Sequence, residues 1–148
     1  MYRKTQTAWP INALFIIAWI FLLITFIYKL GSKPTSLPVF LAISASWLII
    51  VLMFYKFTIQ IDDESIHLSF GIGLAKKNID LNTIESVEQV RNKWWYGLGI
   101  RLTPHGWLWN IWGLDAVELT FKEGKRKFRI GTNEPELLKN EIEKRLAA

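Results

Sequence analysis

No cysteine occurs in this chain of 148 residues. Without thiols it has no disulfide framework, no thiolate metal site and no cysteine nucleophile, a composition that fits a reducing compartment. Histidine occurs only at positions 67 and 105. The His-Glu-x-x-His, Gly-x-Ser-x-Gly and phosphate-loop patterns are all missing from the sequence. We therefore predict that the protein is not an enzyme and has no catalytic residue, no metal site and no cofactor.

Acidic residues are missing from the first 56 positions, which carry five basic ones. These are Arg3, Lys4, Lys29, Lys33 and Lys56. The other 13 basic residues and all 13 acidic residues lie in residues 57–148, so that part is neutral and the net charge of +5 belongs to the first part. A nucleic-acid-binding domain is expected to carry its basic excess on the folded surface. We therefore predict no nucleic-acid partner.

Two long apolar runs dominate the first part of the chain. Residues 11–30 and 37–57 contain no charged residue except Lys29 and Lys56, close to their far edges. As helices rising ~1.5 Å per residue, each spans roughly 30 Å, the thickness of a bilayer's hydrocarbon core. Residues 1–57 are therefore predicted to form a transmembrane hairpin, with helices at about 11–30 and 37–57. Trp19 and Trp47, near the middle of these runs, are expected to pack between the helices.

The first run is predicted to be a retained anchor that is not cleaved. It is longer than the ~7–15 residues of a signal-peptide core, and no Ala-x-Ala cleavage pattern follows it. Three basic residues, Arg3, Lys4 and Lys56, lie at the end of the hairpin that carries its N- and C-terminal connections. Two, Lys29 and Lys33, lie at the other end, in or beside the connecting loop. The positive-inside rule then favours both termini in the cytoplasm. We expect a multi-pass protein of the inner (cytoplasmic) membrane with two helices, in contact with membrane lipids.

After position 57 the chain changes to short segments of alternating apolar and polar residues, which are typical of strands. They begin at Phe57, Ile66, Lys77, Ile84, Gly99, Trp107, Ala116 and Lys127. Residues 58–148 are predicted to form one mainly-β domain of about seven strands, mostly antiparallel. We expect a bent sheet or partly open barrel, capped by a C-terminal helix at about 134–147.

The C-terminal helix is predicted from its ends and its periodicity. Asn133 is the expected N-cap, and Pro135 lies in the first turn, where its missing N–H is not needed. Leu138 and Ile142, followed by Leu146, form an apolar stripe with a spacing of four. Glu141 and Arg145 are spaced for an ion pair on the helix surface.

Several motifs between residues 94 and 136 resemble a group of bacterial membrane proteins. They are Trp95-Tyr96-Gly97-x-Gly99-Ile100-Arg101, Thr103-Pro104-x-Gly106-Trp107, Asn110, Gly113-Leu114-Asp115-Ala116-Val117-Glu118 and Ile130-Gly131-Thr132-x-Glu134-Pro135-Glu136. Members of that group have two transmembrane helices followed by a C-terminal PH-like (bacterial pleckstrin-homology-like) domain, and most are uncharacterised. The resemblance implies a seven-stranded bent sheet capped by a C-terminal helix, and it implies little about activity.

Aromatic residues are concentrated between positions 94 and 112. They are Trp94, Trp95, Tyr96, Trp107, Trp109 and Trp112. Some of them are expected to fill the core of the small domain, since a tryptophan buries up to roughly 250 Å². Others are expected either in the headgroup layer beside the hairpin or in a contact with a partner or second subunit. Trp107 and Trp109, two apart, are predicted to share one face of a strand.

Basic residues supply the candidates for binding lipid headgroups. Arg101 lies between two apolar residues, and it is expected either to pair with Asp115 or Glu118 or to hold a lipid phosphate. The remaining candidates cluster at one predicted hairpin. They are Lys125, Arg126, Lys127 and Arg129, beside Lys122. Such a hairpin is either a solvated turn or, if it faces the membrane, a weak site for anionic lipid.

Together these features favour a membrane-anchored, non-enzymatic interaction or scaffold module at the cytoplasmic face of the inner membrane. Its partner is expected to be another protein or a second copy of the chain, bound through the aromatic residues or an exposed sheet edge. Two alternatives remain. One is a sensor of anionic lipid or of a small ligand, and the other is an accessory subunit of a membrane transporter or enzyme.

Overall fold

A computed structural model describes residues 1–124 and 126–147. The described residues form three α-helices and nine β-strands. The helices are α1 (Trp9–Ile27), α2 (Leu37–Phe54) and α3 (Pro135–Leu146). The strands are β1 (Tyr2–Thr7), β2 (Lys56–Ile61), β3 (Ser65–Phe70), β4 (Ala75–Asp80), β5 (Ile84–Arg91), β6 (Gly99–Thr103), β7 (Gly106–Asn110), β8 (Asp115–Phe121) and β9 (Lys127–Gly131).

Helices α1 and α2 correspond to the two apolar runs. Both are long and apolar enough to cross a membrane, with mean hydropathies of 2.4 and 2.5. The two tryptophans pack between them as expected. The indole nitrogen of Trp19 donates to Ser44 Oγ at 3.1 Å, and that of Trp47 donates to the Phe15 carbonyl at 3.1 Å. Both helices end three residues earlier than predicted, and α2 does so because Lys56 and Phe57 belong to strand β2.

Strand β1 was not predicted, because residues 2–7 were assigned to the membrane hairpin. It pairs antiparallel with β2, from Tyr2 opposite Ile61 to Thr7 opposite Lys56. The chain therefore leaves the β domain into α1 and returns from α2 at neighbouring points of one sheet. The Gln6 side chain also ties β1 to the end of β9, since its amide donates to the Gly131 carbonyl at 3.1 Å.

The nine described strands form two sheets. The sequence predicts fewer strands, about seven, in a single sheet. The first sheet has the order β1-β2-β3-β4 and the second has the order β5-β8-β9-β7-β6. All pairings are antiparallel except that of β7 with β9. One shared core fills the space between the sheets, and Phe57, Phe70, Trp109 and Ile130 belong to it.

Helix α3 covers part of this core, as the sequence predicts. Leu138 and Ile142 are fully buried and Glu141 pairs with Arg145 at 2.6 Å, whereas Leu146 lies at the edge of the stripe and is partly exposed. The N-cap prediction was wrong. Glu134 occupies the cap position, and the backbone N–H of Asn133 is engaged by Gln6 Oε1 at 3.1 Å.

The β domain has two ends, which we name by their position relative to α1 and α2. At the hairpin end, the N–H of Gly71 donates to the Lys56 carbonyl at 2.8 Å, and that of Ile72 donates to the Leu52 carbonyl at 3.2 Å. The far end is the end of the β domain that lies away from α1 and α2. Strands β7 and β9 start there, at Gly106 and Lys127, and run side by side towards the hairpin end.

Candidate functional site

The hairpin end of the domain carries exposed apolar side chains around the point where α1 and α2 emerge. Trp9 starts α1, and Ile72 and Leu74 lie in the turn that bonds to the last turn of α2. Trp112 follows strand β7 and is also exposed. Large amphipathic and apolar residues in such a ring are typical of protein surfaces that contact lipid headgroups.

A cavity lies between the base of the hairpin and the second sheet. Its volume is about 310 Å³. The lining is mostly apolar and comes from α1, α2 and strands β3, β6 and β7, including Ile11, Phe54 and Ile100. Arg101 and Asn110 add polar atoms to its wall. An apolar cavity with a cationic group in its wall suits an amphiphile with an anionic head.

The segment that joins β5 to β6, residues 92–98, forms an aromatic strap across the outer face of the second sheet. The N–H of Asn92 donates to the Leu114 carbonyl at 2.7 Å, and Arg101 Nε donates to the Leu98 carbonyl at 3.0 Å. Leu108, on the face of β7 opposite the shared core, is fully buried. The centre of that face is therefore covered, and Asn92 Oδ1 of the strap accepts a hydrogen bond there from Arg129 at 3.0 Å.

The six predicted aromatic residues separate into three groups. Trp109 lies in the shared core, and its ring contacts Phe70 and Phe128. Trp107 is on the same face of β7 but outside the shared core, and its side chain is exposed. Trp112 is exposed at the hairpin end.

The strap holds the third group. Trp94 and Trp95 are 76% and 59% exposed, and their rings meet edge to face at 5.8 Å. Tyr96 is partly buried and its ring lies 6.2 Å from that of His105. The Lys93 ammonium stands 5.0 Å above the Trp95 ring, a cation–π contact that restrains this side chain. The strap therefore presents two large, partly fixed aromatic surfaces to the outside.

Arg101 does not make the ion pair that was considered for it. Asp115 pairs with Arg91 at 3.5 Å, and Glu118 pairs with Lys127 and Arg129. Arg101 instead uses Nε to close the strap and remains exposed beside the cavity. Of the predicted headgroup candidates that the structure describes, it is the one at the hairpin end.

The basic hairpin between β8 and β9 lies at the far end of the domain. Strand β9 runs from Lys127 at that end to Gly131 at the hairpin end, a length of roughly 13 Å at ~3.3 Å per residue. Lys125 lies outside the described residues. Arg126 is exposed and borders a cleft that contains Trp107. The described residues of this turn lie away from α1 and α2, and lipid binding by them stays a prediction.

Arg129 and Lys127 are also already paired. Arg129 Nε and Lys127 Nζ each donate to a carboxylate oxygen of Glu118 at 2.6 Å, and Arg129 donates further to Asn92 Oδ1 at 3.0 Å. Burial raises the pKa of Glu118, but the bonds from Lys127 and Arg129 outweigh it, so the pKa lies below its ordinary value. Arg129 is therefore a structural residue that fastens the strap to the sheet. The motif Asp115-Ala116-Val117-Glu118 gave no signal that Glu118 is buried.

A second polar cluster lies on the outer face of the first sheet. His67 Nε2 is 2.7 Å from Asp62 Oδ2, and its Nδ1 is 2.9 Å from Asn78 Oδ1. The bonds to Asn78 and then to Asp62 raise the pKa of His67 above its ordinary value, and the bond to His67 lowers the pKa of Asp62 to about 2. With an acceptor at each ring nitrogen, the imidazolium form is favoured.

This cluster predicts a measurable titration. The pKa of His67 is expected above 6.5 in the intact chain, and Asn78→Ala or Asp62→Asn should each lower it. Because the folded-state pKa is raised, the stabilisation is full below 6.5 and is lost as the pH rises through the folded-state value. Nuclear magnetic resonance of the imidazole protons measures it, with His105→Gln assigning the signals. A pKa at or below 6.5 contradicts this prediction.

No family model, curated protein or solved structure matches this chain at a significant level. The comparisons therefore assign no family, and the function has to be argued from the sequence and the geometry described above.

Proposed function

We propose that this chain is a two-span protein of the bacterial inner membrane that holds a PH-like domain at the cytoplasmic surface as a non-enzymatic binding module. The pairing of β1 with β2 is the observation that carries the proposal. Since Thr7 lies opposite Lys56, both connections to the hairpin leave one sheet at adjacent points. A domain joined in this way has no flexible linker to the hairpin and stays next to the lipid surface.

The distribution of basic residues supports the cytoplasmic side. Pairing of β1 with β2 puts Arg3, Lys4 and Lys56 at the same end of the hairpin, whereas Lys29 and Lys33 belong to the loop at the opposite end. The rule that short cytoplasmic segments are richer in Lys and Arg favours the side with three. The ring of exposed apolar residues at the hairpin end is consistent with a domain seated on headgroups.

The aromatic strap is the surface that we assign to a protein partner or a second copy of the chain. Trp94 and Trp95 are adjacent, highly exposed and held by the bonds of Asn92 and Arg101 at the two ends of the strap. Tryptophan is the residue type most enriched among those that dominate interface energies, and a pre-ordered surface loses little entropy on binding. The PH-like fold itself is supported by the two mostly antiparallel sheets and the C-terminal helix that covers part of their core.

The mass of the complex extracted from the native host tests this function. In mild detergent the chain of 17.3 kDa is expected in the membrane fraction and in a species larger than one protomer, with its companions identified by mass spectrometry. Trp94→Ser combined with Trp95→Ser should weaken the assembly at least tenfold, because truncating a central interface tryptophan costs roughly 2 kcal/mol or more.

Leu137→Ser is the control, since Leu137 is also an exposed apolar residue and lies on α3, outside the strap. This variant is expected to keep the wild-type mass. A wild-type chain that is monomeric in the extract, or a double variant that keeps its companions, contradicts the proposal. A stable companion of different sequence identifies the protein as an accessory subunit of a larger membrane complex.

Recognition of an anionic amphiphile is the second candidate, and the cavity of about 310 Å³ at the hairpin base favours it. Its apolar lining accommodates an acyl chain, and Arg101 supplies the positive charge for an acidic head. This function needs no second protein. A monomeric extract that carries a bound amphiphile would favour it over the interaction module.

A further inference from the structure

A groove of about 250 Å³ runs across the outer face of the first sheet. Strand alternation produces it, because Phe57, Ile59 and Ile61 point into the core and leave the intervening side chains outside. The groove is lined by hydroxyl, amide and cationic groups. They are Arg3, Lys56, Lys76, Thr58, Gln60 and Ser69.

The cations of this groove have no acidic partner within residues 1–124 and 126–147. Lys56 Nζ stands 5.1 Å above the Tyr55 ring, and neither Arg3 nor Lys76 makes an ion pair in the described part of the chain. This contrasts with Lys127 and Arg129, whose charges are both satisfied by Glu118. At the end of the groove that lies away from the hairpin is His67, which pairs with Asp62. The free positive charge therefore lies among Arg3, Lys56 and Lys76.

The groove opens towards the hairpin. Lys56 follows directly after the C-cap residue of α2, and the turn that closes the groove includes Ile72, whose N–H donates to the Leu52 carbonyl of α2. A Cβ on Gly73 would lie 2.8 Å from Lys76 Cε, so the Lys76 side chain folds back over this turn. Ile72 and Leu74 are exposed beside it. Unpaired cations, hydroxyl donors and exposed apolar side chains thus meet where α2 enters the domain.

We propose that this groove binds the phosphate-bearing headgroup of an anionic phospholipid. Lys56 and Lys76 contact the phosphate, while Gln60 and Ser69 bond to the polar atoms of the headgroup. Ile72 and Leu74 lie against the upper part of the acyl chains. We assign the phosphate to a lipid because the groove adjoins the hairpin. The site therefore rests on the membrane placement proposed above. It needs neither the aromatic strap nor the cavity near Arg101.

Binding to the full chain in neutral detergent tests the site. The probes are dioctanoyl phosphatidylglycerol, dioctanoyl phosphatidylcholine and inorganic phosphate, with dissociation constants measured by native mass spectrometry. We expect phosphatidylglycerol to bind at least tenfold more tightly than the other two probes. Lys56→Gln combined with Lys76→Gln should lower its affinity roughly 25-fold, since each basic residue near the surface contributes about a factor of five.

Lys122→Gln combined with Arg126→Gln is the charge-matched control at the far end, and it should keep the wild-type affinity. Ser69→Ala leaves every charge in place and should weaken phosphatidylglycerol binding about fivefold through one lost hydrogen bond. The assignment is overturned if the control pair loses as much affinity as the groove pair, or if Ser69→Ala has no effect. It is also overturned if phosphatidylcholine binds equally well.

If inorganic phosphate binds as tightly as phosphatidylglycerol, the ligand of the groove is a free anion, and the proposal is also overturned. The outcome is separable from that of the interaction function. A strap variant that keeps its companions leaves the phosphatidylglycerol preference intact, whereas an intact chain recovered from the soluble fraction would remove the basis of both proposals.

Discussion

Arg129→Met is expected to lower the free energy of unfolding of the β domain by about 3 kcal/mol, the lower end of the usual cost of removing one partner of a buried ion pair, because Glu118 keeps the half-exposed Lys127 as its other partner. Glu118 is 4% exposed and Arg129 is 8% exposed, so the remaining carboxylate cannot regain its hydration without opening the sheet. Asn92 Oδ1 would also lose its donor from Arg129. Urea unfolding of the detergent-solubilised chain, followed by tryptophan fluorescence, measures the change.

Two further variants distinguish the buried pair from a general effect of charge. Lys127→Met removes the other cation from Glu118, but the Lys127 side chain is 43% exposed, and we expect a much smaller loss than in Arg129→Met because solvent screens an exposed ion pair. Glu118→Leu combined with Arg129→Met removes both charges, and it should recover much of the stability lost in Arg129→Met. A double variant that is less stable than Arg129→Met alone would contradict this account.

Gly71→Ala is expected to break the junction between the β domain and α2. A Cβ at position 71 would lie 1.9 Å from the Leu52 carbonyl oxygen and 2.5 Å from that of Met53, and backbone atoms cannot rotate away as a side chain does. The φ angle of Gly71 is +55°, which adds strain for an alanine. We expect the loss to exceed the roughly 1–3 kcal/mol of backbone strain alone. Faster hydrogen exchange at the Ile72 amide is the readout.

Gly31→Ala is the matched control for this substitution. Gly31 also has a positive φ, +100°, but a Cβ there would have nothing within 4 Å. It therefore carries the strain without the backbone contact, and the Ile72 amide should exchange as in the wild type. Equal exchange in Gly71→Ala and Gly31→Ala would show that the contact with the last turn of α2 does not hold the domain to the hairpin.

The elements that the sequence could predict are those whose signal is local. The two apolar runs, the alternation of β2 and β3, and the stripe of Leu138 and Ile142 each depend on neighbours within one turn or one strand. The packing of Trp19 and Trp47 could also be predicted, because a tryptophan in the middle of a membrane span is away from the interfacial layer that it prefers. The exposure of Trp94 and Trp95 and the burial of Trp109 could not be told apart, since all three were open to the same alternatives.

The tertiary structure alone decided where these elements meet. Residues 2–7 contain three polar side chains and two cations and show little apolar alternation, and they form a strand because the hairpin returns β2 to their side. Likewise, the run of basic residues before Arg129 suggested a headgroup site, yet the direction of β9 carries its start away from the hairpin. In addition, the ion pair with Glu118 neutralises the charge of Arg129. Pairing between strands that are far apart in the chain depends on the closure of the whole sheet, whereas a local pattern identifies only the single helix or strand in which it occurs.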